Sequence, residues 1–527
     1  MTLVKLMVRR HRMLLTSWLL LMIALSGGTV SAYQSTYPTE AQRRLAVQLA
    51  QHNAATTLLY GNLPDPGTPA LMFAWEIGAI ATILAAIMGV LVAIALTRAA
   101  EDEGTLELVR GSGVAPPVPL RSALLVLGMV AAVLALGCAF AVGLSAGHVD
   151  AVTWPGAVAF GSVVGLTFLL AGTLAAVLAQ VAPTATGART LGFAAVGVAF
   201  AVRTLADTRH VGWLNWLTPL GLRATVRPFA QERWWVFATG LFAAAVLAWL
   251  ALVLSARREY GAGLITRRDM RGTRLNIRSG FALAGRLARR QVLTWTVAVA
   301  CVGTLFSAMG SGVVRQSENG DLGGFLGSQL GTGDPVAAYF AYSGTVVGMV
   351  VSSFAVLSVL TSRHDEARGL TDHVLATGAR RWTPLAAQAA VTAVGSLLIL
   401  TATGTLSALI APAVIDGSDV AVHAFTYVVG QWPAMLAVTG WAALLVGLRP
   451  RVSWPAWIPL VAGGTFALLG GLLGIPQPVR DLGVFQHVPD VVSPDPDFRG
   501  LLVLIAFAGG AFLLGVFGSN RRDLTTG

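Results

Sequence analysis

The stretch TRAAEDEGTLELVRGSGV, residues 97–114, places four carboxylates and three glycines between two long apolar runs. A second stretch, SRHDEARGLTDHVLATGA at residues 362–379, repeats this outline further along the chain. A shift of 265 positions aligns the two stretches without a gap. It pairs Arg98 with Arg363, Glu101 with Glu366, Gly104 with Gly369, Val109 with Val374, Gly113 with Gly378 and Pro119 with Pro384. Such a repeat predicts a duplicated chain with one acidic segment in each half.

The rest of the chain is strongly apolar. Of its 527 residues, 55% are hydrophobic and 12% are charged, and the mean hydropathy is +0.70. Soluble domains carry about 25% charged residues, so the composition indicates a chain that lies mostly in a lipid bilayer. Apolar runs of about 20 residues predict about twelve membrane spans. They begin near Leu14, Leu71, Leu120, Ala157, Thr190, Trp234, Val292, Val336, Leu385, Ala424, Trp454 and Gly500.

Together, the spans and the repeat predict an all-α polytopic membrane protein made of two homologous six-helix halves. Residues 1–256 are predicted to form the first transmembrane domain and residues 292–527 the second. A basic linker, residues 257–291, joins them on the cytoplasmic side. Each half contains one acidic segment, 98–119 or 363–384, between its second and third helices.

The placement of the basic residues predicts the orientation. The net charge is +11, and Lys5 is the only lysine. With the N-terminus inside, the inside segments hold roughly 26 basic residues and the outside segments roughly nine, as the positive-inside rule requires. Both termini of this plasma-membrane protein are therefore predicted to be cytoplasmic, and with no nucleic-acid motif the basic excess predicts no nucleic-acid partner. The first apolar run resembles a signal peptide; we interpret it as a retained helix, with cleavage left open.

The outer segment after the first span, TEAQRRLAVQLAQHNAATTLLYG at residues 39–61, is predicted to form a short amphipathic helix. Thr39 is placed to cap this helix. The residues of the predicted stripe follow at helical spacing and are Leu45, Leu49, His52, Thr56 and Leu59. The helix would lie along the outer membrane surface, and an ordered loop is the alternative.

The first acidic segment is predicted to be a short helix parallel to the membrane. Glu101 and its acidic neighbours lie where that helix would begin, and carboxylates are favourable at a helix N-terminus. Leu106 and Val109 follow at helical spacing, and the glycines and prolines after Arg110 end the helix. A solvated loop is the alternative. Because the pattern recurs at the same place in both halves, a docking element for a cytoplasmic partner is the better interpretation.

EDEGTLELVRGSGV, residues 101–114, resembles the acidic E-x-x-G-x-x-E-L motif that follows the second helix in permeases of ATP-binding-cassette exporters. It is most similar to their actinobacterial branch, the polyketide-antibiotic and multidrug exporters. LTPLGLRATVRPFAQERWW, residues 217–235, resembles the outside segment before the sixth helix of these permeases. It ends in Trp234 and Trp235, a pair suited to a membrane interface. With the duplication and the twelve spans, the resemblance covers essentially the whole chain.

The resemblance implies that each acidic segment is a coupling helix that seats in a groove of an ATPase subunit. It implies the coupling residues Glu101, Gly104, Glu107, Leu108, Glu366, Gly369 and Asp372. The second copy departs from the motif, because Arg368 replaces an acid and His373 stands where leucine is expected. Whether both copies bind the ATPase equally is therefore left open.

No catalytic residue, metal site or bound cofactor is expected in this chain. A P-loop requires a lysine that reaches the phosphates, and the only lysine, Lys5, lies in the N-terminal tail. The sequence contains neither H-E-x-x-H nor C-x-x-C. If ATP drives transport, ATP and Mg²⁺ bind to separate subunits, with two ATPase copies serving the two halves.

The resemblance places the translocation path at the second and fifth helices of each half. Glu76 and Arg203 are charged residues near the outer ends of the second and fifth spans, where ionisable groups are costly. We expect them to pair or to face a polar outer cavity. Extension of each side chain to the outer interface is the alternative.

The predicted function is export of hydrophobic or amphipathic compounds, such as drugs or polyketide antibiotics. Export of a cell-envelope lipid is an alternative, and only the resemblance disfavours import. A gradient-driven secondary transporter would need more intramembrane acids than Glu76. A lipid-linked transferase would need the outside acids Asp490, Asp495 and Asp497, which are more easily interpreted as part of a solvated loop.

Overall fold

The described residues of the computed structural model form helices and no β-strand. They are residues 2–52, 57, 59–258, 277, 279–318, 334–417, 419–450, 454–469, 475–489 and 497–523. Within them, eleven helices are long and apolar enough to cross a membrane. The prediction of an all-helical polytopic membrane protein is confirmed. Most of the basic linker, residues 259–276 and 278, lies outside the described residues.

The chain divides into two compact units, Met1–Gly272 and Thr273–Gly527. The first unit contains α1 (Thr2–Thr36), α2 (Glu40–His52), α3 (Pro69–Leu96), α4 (Arg98–Asp102), α5 (Thr105–Gly111), α6 (Val118–Gly143), α7 (Trp154–Val181), α8 (Ala185–Thr208), α9 (Leu222–Val226) and α10 (Trp235–Arg257). Within it, α7 packs against α3, α6 and α10. The aromatic rings of Phe73 and Phe160 lie 4.9 Å apart in its core.

Threonine residues begin three of the membrane helices in this unit. The hydroxyls of Thr68, Thr153 and Thr184 each accept a hydrogen bond from the backbone N–H three residues further on, at 3.1–3.3 Å. Each bond satisfies an N–H that has no partner inside the helix. Pro69 directly follows Thr68 and Pro155 lies two residues after Thr153, in the first turn of each helix, where the missing N–H of proline costs nothing.

The second unit contains α11 (Gly280–Glu318), α12 (Pro335–Ala367), α13 (Leu370–Leu375), α14 (Thr383–Ile410), α15 (Val420–Val429), α16 (Trp432–Leu448), α17 (Ile458–Gly464), α18 (Gln477–Arg480) and α19 (Arg499–Arg521). Its core includes Phe354, Ile399 and Leu400, all fully buried. Four of its helices begin within one residue of the 265-residue shift found in the sequence. The corresponding first residues are Pro69 and Pro335, Val118 and Thr383, Trp154 and Val420, and Trp235 and Arg499.

The span predicted to begin near Trp454 is not one continuous helix in the described residues. A 3₁₀ turn (Trp454–Trp457), α17 and a π-helical turn (Thr465–Leu469) follow one another, and residues 470–474 lie outside the described part. Two prolines, Pro455 and Pro459, remove backbone donors here, and glycines follow them. Proline and glycine are the poorest helix formers, and the apolar composition that predicted this span does not record them.

The predicted amphipathic helix is confirmed as α2. Thr39 and Gln42 form a capping box, in which each side-chain oxygen accepts the other residue's backbone N–H, at 3.3 and 3.4 Å. The buried face differs from the predicted stripe. Val47 is buried against the N-terminal end of α3, whereas Leu45 is 40% exposed. Thr56 lies outside the described residues.

Candidate functional site

Each acidic segment contains a short helix, α5 or α13. A glycine in the left-handed conformation separates this helix from the helix before it. Gly104 lies between α4 and α5 with φ +72°, and Gly369 lies between α12 and α13 with the same φ. A residue with a β-carbon rarely adopts this conformation, and glycine adopts it without steric cost. Gly113 and Gly378 follow the short helices with φ +85° and +83°. The two copies therefore share their backbone turns as well as their sequence pattern.

The carboxylate of Glu101 points inward rather than to the surface. Its side chain is 3% exposed, and the guanidinium of Arg258 donates to both carboxylate oxygens, at 2.8 and 2.5 Å. Arg98 lies 3.2 Å from the same carboxylate. The Nε of Arg258 donates to Gln180 at 2.8 Å. Because Arg258 is the first residue after α10, this ion pair ties the last helix of the first half to the acidic segment.

Glu366 makes the corresponding contact in the second unit. The guanidinium of Arg522 donates to both oxygens of the Glu366 carboxylate, each at 2.5 Å. The Nε of Arg522 donates to the carbonyl of Gly447 at 2.9 Å. Arg522 is the first residue after α19, just as Arg258 is the first residue after α10. Paired N–H donors on a carboxylate are among the strongest polar contacts in proteins, so each half holds its acidic segment in the same way.

Sequence reasoning did not identify this role for the arginines. The sequence predicts Arg258 only as one of the charges of the basic linker, and it assigns no role to Arg522. A signal exists in the sequence, because the two arginines are 264 positions apart, one residue short of the shift that relates the acidic segments.

The predicted coupling residues thus fall into two groups. Glu101, Gly104, Glu366 and Gly369 shape and anchor the segments. By contrast, Glu107, Leu108 and Asp372 are exposed, and Leu108 is 76% exposed despite being apolar. In the second segment Leu370 is also exposed. Each segment therefore exposes an apolar side chain and a carboxylate within one helical turn, which suits contact with another protein.

Three neighbouring residues fasten the first segment further. Glu103 pairs with Arg10 of α1 at 2.7 Å. Asp102 accepts a hydrogen bond of 2.6 Å from the backbone N–H of Ala185, at the start of α8. The buried guanidinium of Arg98 donates to the carbonyl of Pro183 at 2.5 Å. The segment thus contacts α1, α8 and the residue after α10, and it lies at the same end of the first unit as the start of α1.

The two charged residues predicted for the translocation path lie at the opposite end of the first unit, and each has a partner other than the predicted one. Tyr33 donates to the Glu76 carboxylate at 2.8 Å. Arg203 pairs with Asp207 of the same helix at 3.0 Å and donates to the carbonyl of Leu59 at 2.6 Å. Arg203 is only 3% exposed, so it does not extend to the outer surface.

A second arginine, which the sequence analysis does not single out, completes the cluster at this end of the first unit. Arg223 of α9 donates to the carbonyl of Tyr60. Gly61, with φ +82°, passes so close that a β-carbon there would lie 2.5 Å from Asp207 Oδ2 and 2.7 Å from Arg203 Nη2. Its carbonyl accepts a 2.6 Å bond from the Trp75 indole. The chain at residues 59–61 is therefore held by Arg203, Arg223 and Trp75.

Burial raises the cost of the positive charge in this cluster. The pKa of the Arg223 guanidinium is lowered, first by burial and then by the charge of Arg203, while Asp207 acts in the opposite direction. Among the described residues no group of three or more His, Cys, Asp or Glu is placed to hold a metal ion. Asp497 accepts the backbone N–H of Arg499 at the start of α19, at 2.8 Å, and Asp490 and Asp495 lie outside the described residues.

The amino-acid sequence of this chain matches a protein-family model and a known relative. A family model described as "Multidrug efflux system permease Rv1217c, C-terminal domain" matches residues 277–519. The chain is also 34% identical, over 530 aligned residues, to the multidrug efflux system permease protein Rv1217c of Mycobacterium tuberculosis (strain ATCC 25618 / H37Rv). That alignment covers 99% of this chain and 94% of the relative. With eleven apolar helices and a match over nearly its whole length, this chain belongs to the family of the multidrug efflux permease Rv1217c.

Proposed function

We propose that this chain is the membrane subunit of an ATP-driven exporter, powered by two copies of a separate ATPase subunit that dock on the two acidic segments. The duplicated exposed faces of α5 and α13 carry this proposal. Each presents an apolar residue, Leu108 or Leu370, beside a carboxylate, Glu107 or Asp372. An apolar contact rimmed by charge is typical of a protein interface.

The anchoring of the first segment gives a route from the ATPase to the membrane helices. Only Thr97 separates α4 from α3, and Arg258 joins Glu101 to the end of α10. A push on α5 is therefore carried to the second and the sixth helix of that half. In the second half α12 continues to Ala367, and Arg522 carries the same displacement from Glu366 to α19. Alternating access would follow from tilting these helices when the ATPase subunits bind ATP.

In this proposal the chain catalyses no reaction itself, and ATP and Mg²⁺ bind to the partner subunits. The acidic segments face the cytoplasm, as the basic flanks predict. Both chain termini then lie on that side of the plasma membrane, because Arg10 contacts Glu103 and Arg522 contacts Glu366. The printed name of the relative, a multidrug efflux permease, supports outward movement of hydrophobic or amphipathic compounds. Export of a cell-envelope lipid would use the same machinery.

Copurification tests the proposal. The tagged chain is extracted from its native membranes in mild detergent, and the bound proteins are identified and counted. We expect a P-loop ATPase at about two copies per chain. The double variant L108D/L370D should lower its recovery by about tenfold or more, because it places a charge at the centre of each contact.

The matched control is L482D, which changes a leucine that is 77% exposed and lies in the chain between α18 and the 3₁₀ turn Val484–His487, outside both acidic segments. It should leave the recovery of the ATPase unchanged. A folded wild-type chain that brings down no P-loop ATPase would refute the proposal.

A further inference from the structure

A large cavity opens at the outer end of the first unit. It has a volume of about 760 Å³ and lies between the outer end of α3, the end of α8 and the outside segment 212–233. Its apolar wall comes from Leu71, Ala74 and Trp75 of α3. The opposite wall comes from the outside segment and is mostly polar. The cavity therefore offers an apolar face and a polar face to one ligand, which is the combination that an amphipathic molecule needs.

The polar wall carries an excess of positive charge. Arg223, Arg227 and Arg233 line the cavity together with two aspartates, Asp65 and Asp207. Asp207 is already matched by Arg203, which lies 3.0 Å away, and it also accepts from the Asn215 amide. Among the described residues, no carboxylate forms an ion pair within 4.0 Å of any of the three lining arginines. The cavity can therefore accept an anion without displacing an existing ion pair.

Tryptophans place the cavity at the level of the membrane interface. Trp213, Trp216, Trp234 and Trp235, which lie in or next to the segment 212–233, are all exposed. The rings of Trp216, which lines the cavity, and Trp235 stack at 5.1 Å. Tryptophan concentrates where lipid headgroups meet the hydrocarbon region. A ligand bound here would hold its charged end at headgroup depth and its apolar end towards the bilayer.

The segment that carries two of these arginines is fixed in place. Arg227 and Phe229, which flank Pro228, both have left-handed backbone conformations, with φ +59° and +62°. Such angles are uncommon for residues with a β-carbon. Phe229 is buried and its ring lies 6.4 Å from that of Phe73. The Arg227 side chain therefore begins from a backbone that is anchored in the core.

The corresponding positions of the second half carry no charge. At the 265-residue shift, the positions that correspond to Arg203, Arg223, Arg227 and Arg233 hold Leu468, Val488, Val492 and Phe498. A cluster needed only to build the six-helix fold would be expected twice. Its presence in one half points to a single ligand site per chain.

We propose that this outer cavity binds the acidic head, a carboxylate or phosphate, of an amphipathic molecule. Arg223, Arg227 and Arg233 bind the head, and Trp75, Trp216 and Leu71 contact the apolar body beside it. If the chain is the exporter proposed above, this molecule is a transported compound on its way out, and acidic amphiphiles form one class of its substrates.

Binding to the purified full-length chain in an uncharged maltoside detergent tests the proposal without any ATPase. Hexadecyl phosphate is the probe, and calorimetry or native mass spectrometry measures its affinity and stoichiometry. We expect one molecule per chain. Hexadecanol, which has the same apolar body, and inorganic phosphate, which has the same charge, should each bind at least about tenfold more weakly.

The variant R227Q/R233Q should weaken hexadecyl phosphate binding by about tenfold or more, because charge-assisted bonds are lost. Both side chains are exposed, so the variant should fold. The control R44Q/R209Q removes two exposed arginines of the same unit that do not line the cavity and should bind like the wild type.

Unchanged binding in R227Q/R233Q would overturn the proposal, as would equal binding of hexadecanol. Tight binding of hexadecyltrimethylammonium by the wild type would show that charge sign does not matter and would also overturn it. Displacement by equimolar inorganic phosphate would reassign the site to free anions. None of these results affects the ATPase copurification, so the two proposals can fail separately.

Discussion

The ion pair between Glu101 and Arg258 gives the sharpest quantitative prediction. R258Q removes both hydrogen bonds to a carboxylate whose side chain is 3% exposed. Removing one partner of a buried ion pair costs about 3–5 kcal/mol. Arg98 remains 3.2 Å from the carboxylate and compensates part of this cost, so the expected loss of unfolding free energy lies just below this range, at about 2–3 kcal/mol.

A double-mutant cycle separates this ion pair from general damage. E101Q and R258Q each leave a buried charge without its main partner, whereas E101Q/R258Q leaves two amides of similar shape. The double variant should therefore be more stable than the sum of the two single losses predicts, by about 2 kcal/mol. Unfolding of the purified chain in mixtures of maltoside and dodecyl sulfate measures each free-energy difference. The neighbouring R257Q is the matched control, because Arg257 is exposed.

Two results would refute this reasoning. The unfolding free energy of R258Q could lie within about 0.5 kcal/mol of that of R257Q, as expected for an ordinary surface arginine. Alternatively, the losses from E101Q and R258Q could simply add, which would mean that the two side chains do not interact in the folded chain.

Three further sets of substitutions test the rest of the described geometry by the same unfolding measurement. The cycle E366Q, R522Q and E366Q/R522Q should show a coupling of about the same size as the first cycle, and additive losses would show that the two halves are not built alike. G104A should destabilise the chain by about 1–2 kcal/mol, because Gly104 has a φ of +72°. The control G111A lies in ordinary helical backbone and should not destabilise the chain. Equal effects of the two substitutions would contradict a conformational role for Gly104. Gly61 and Gly147 have nearly equal φ values, +82° and +83°, but of the two only Gly61 has other atoms within 4 Å of the place where a β-carbon would lie. G61A should therefore lower the unfolding free energy by about 1 kcal/mol more than G147A does. A smaller loss in G61A than in G147A would argue against the close packing on Asp207 and Arg203.

The acidic segments were predictable because their signals are local and repeated. Gly104 and Gly369 stand at matching positions, and the structure gives both the same left-handed turn. The Arg203–Asp207 pair was also within reach, since a spacing of four residues places both on one helix face. Repetition and helical spacing can be read directly from one sequence.

The partners of the anchoring residues were not predictable in this way. Arg258 and Glu101 are 157 residues apart, and an arginine after a membrane helix has the same appearance whether it faces lipid headgroups or a buried carboxylate. Arg223 was not identified for a similar reason, because it lies in a segment between predicted spans, where charges are common. The broken helix after Trp454 was missed because hydropathy averages over Pro455 and Pro459, whose effect is on backbone hydrogen bonds.

The long separation within each ion pair has a consequence for synthesis of the chain. Arg258 is translated 157 residues after Glu101, and Arg522 is translated 156 residues after Glu366. At about 5–20 residues per second, each carboxylate spends roughly 8–30 s without its main partner. Each half can form the ion pair that anchors its acidic segment only after its own last helix has been synthesised. A chain whose synthesis stalls before that point therefore keeps its acidic segment without the arginine that anchors it in the folded chain.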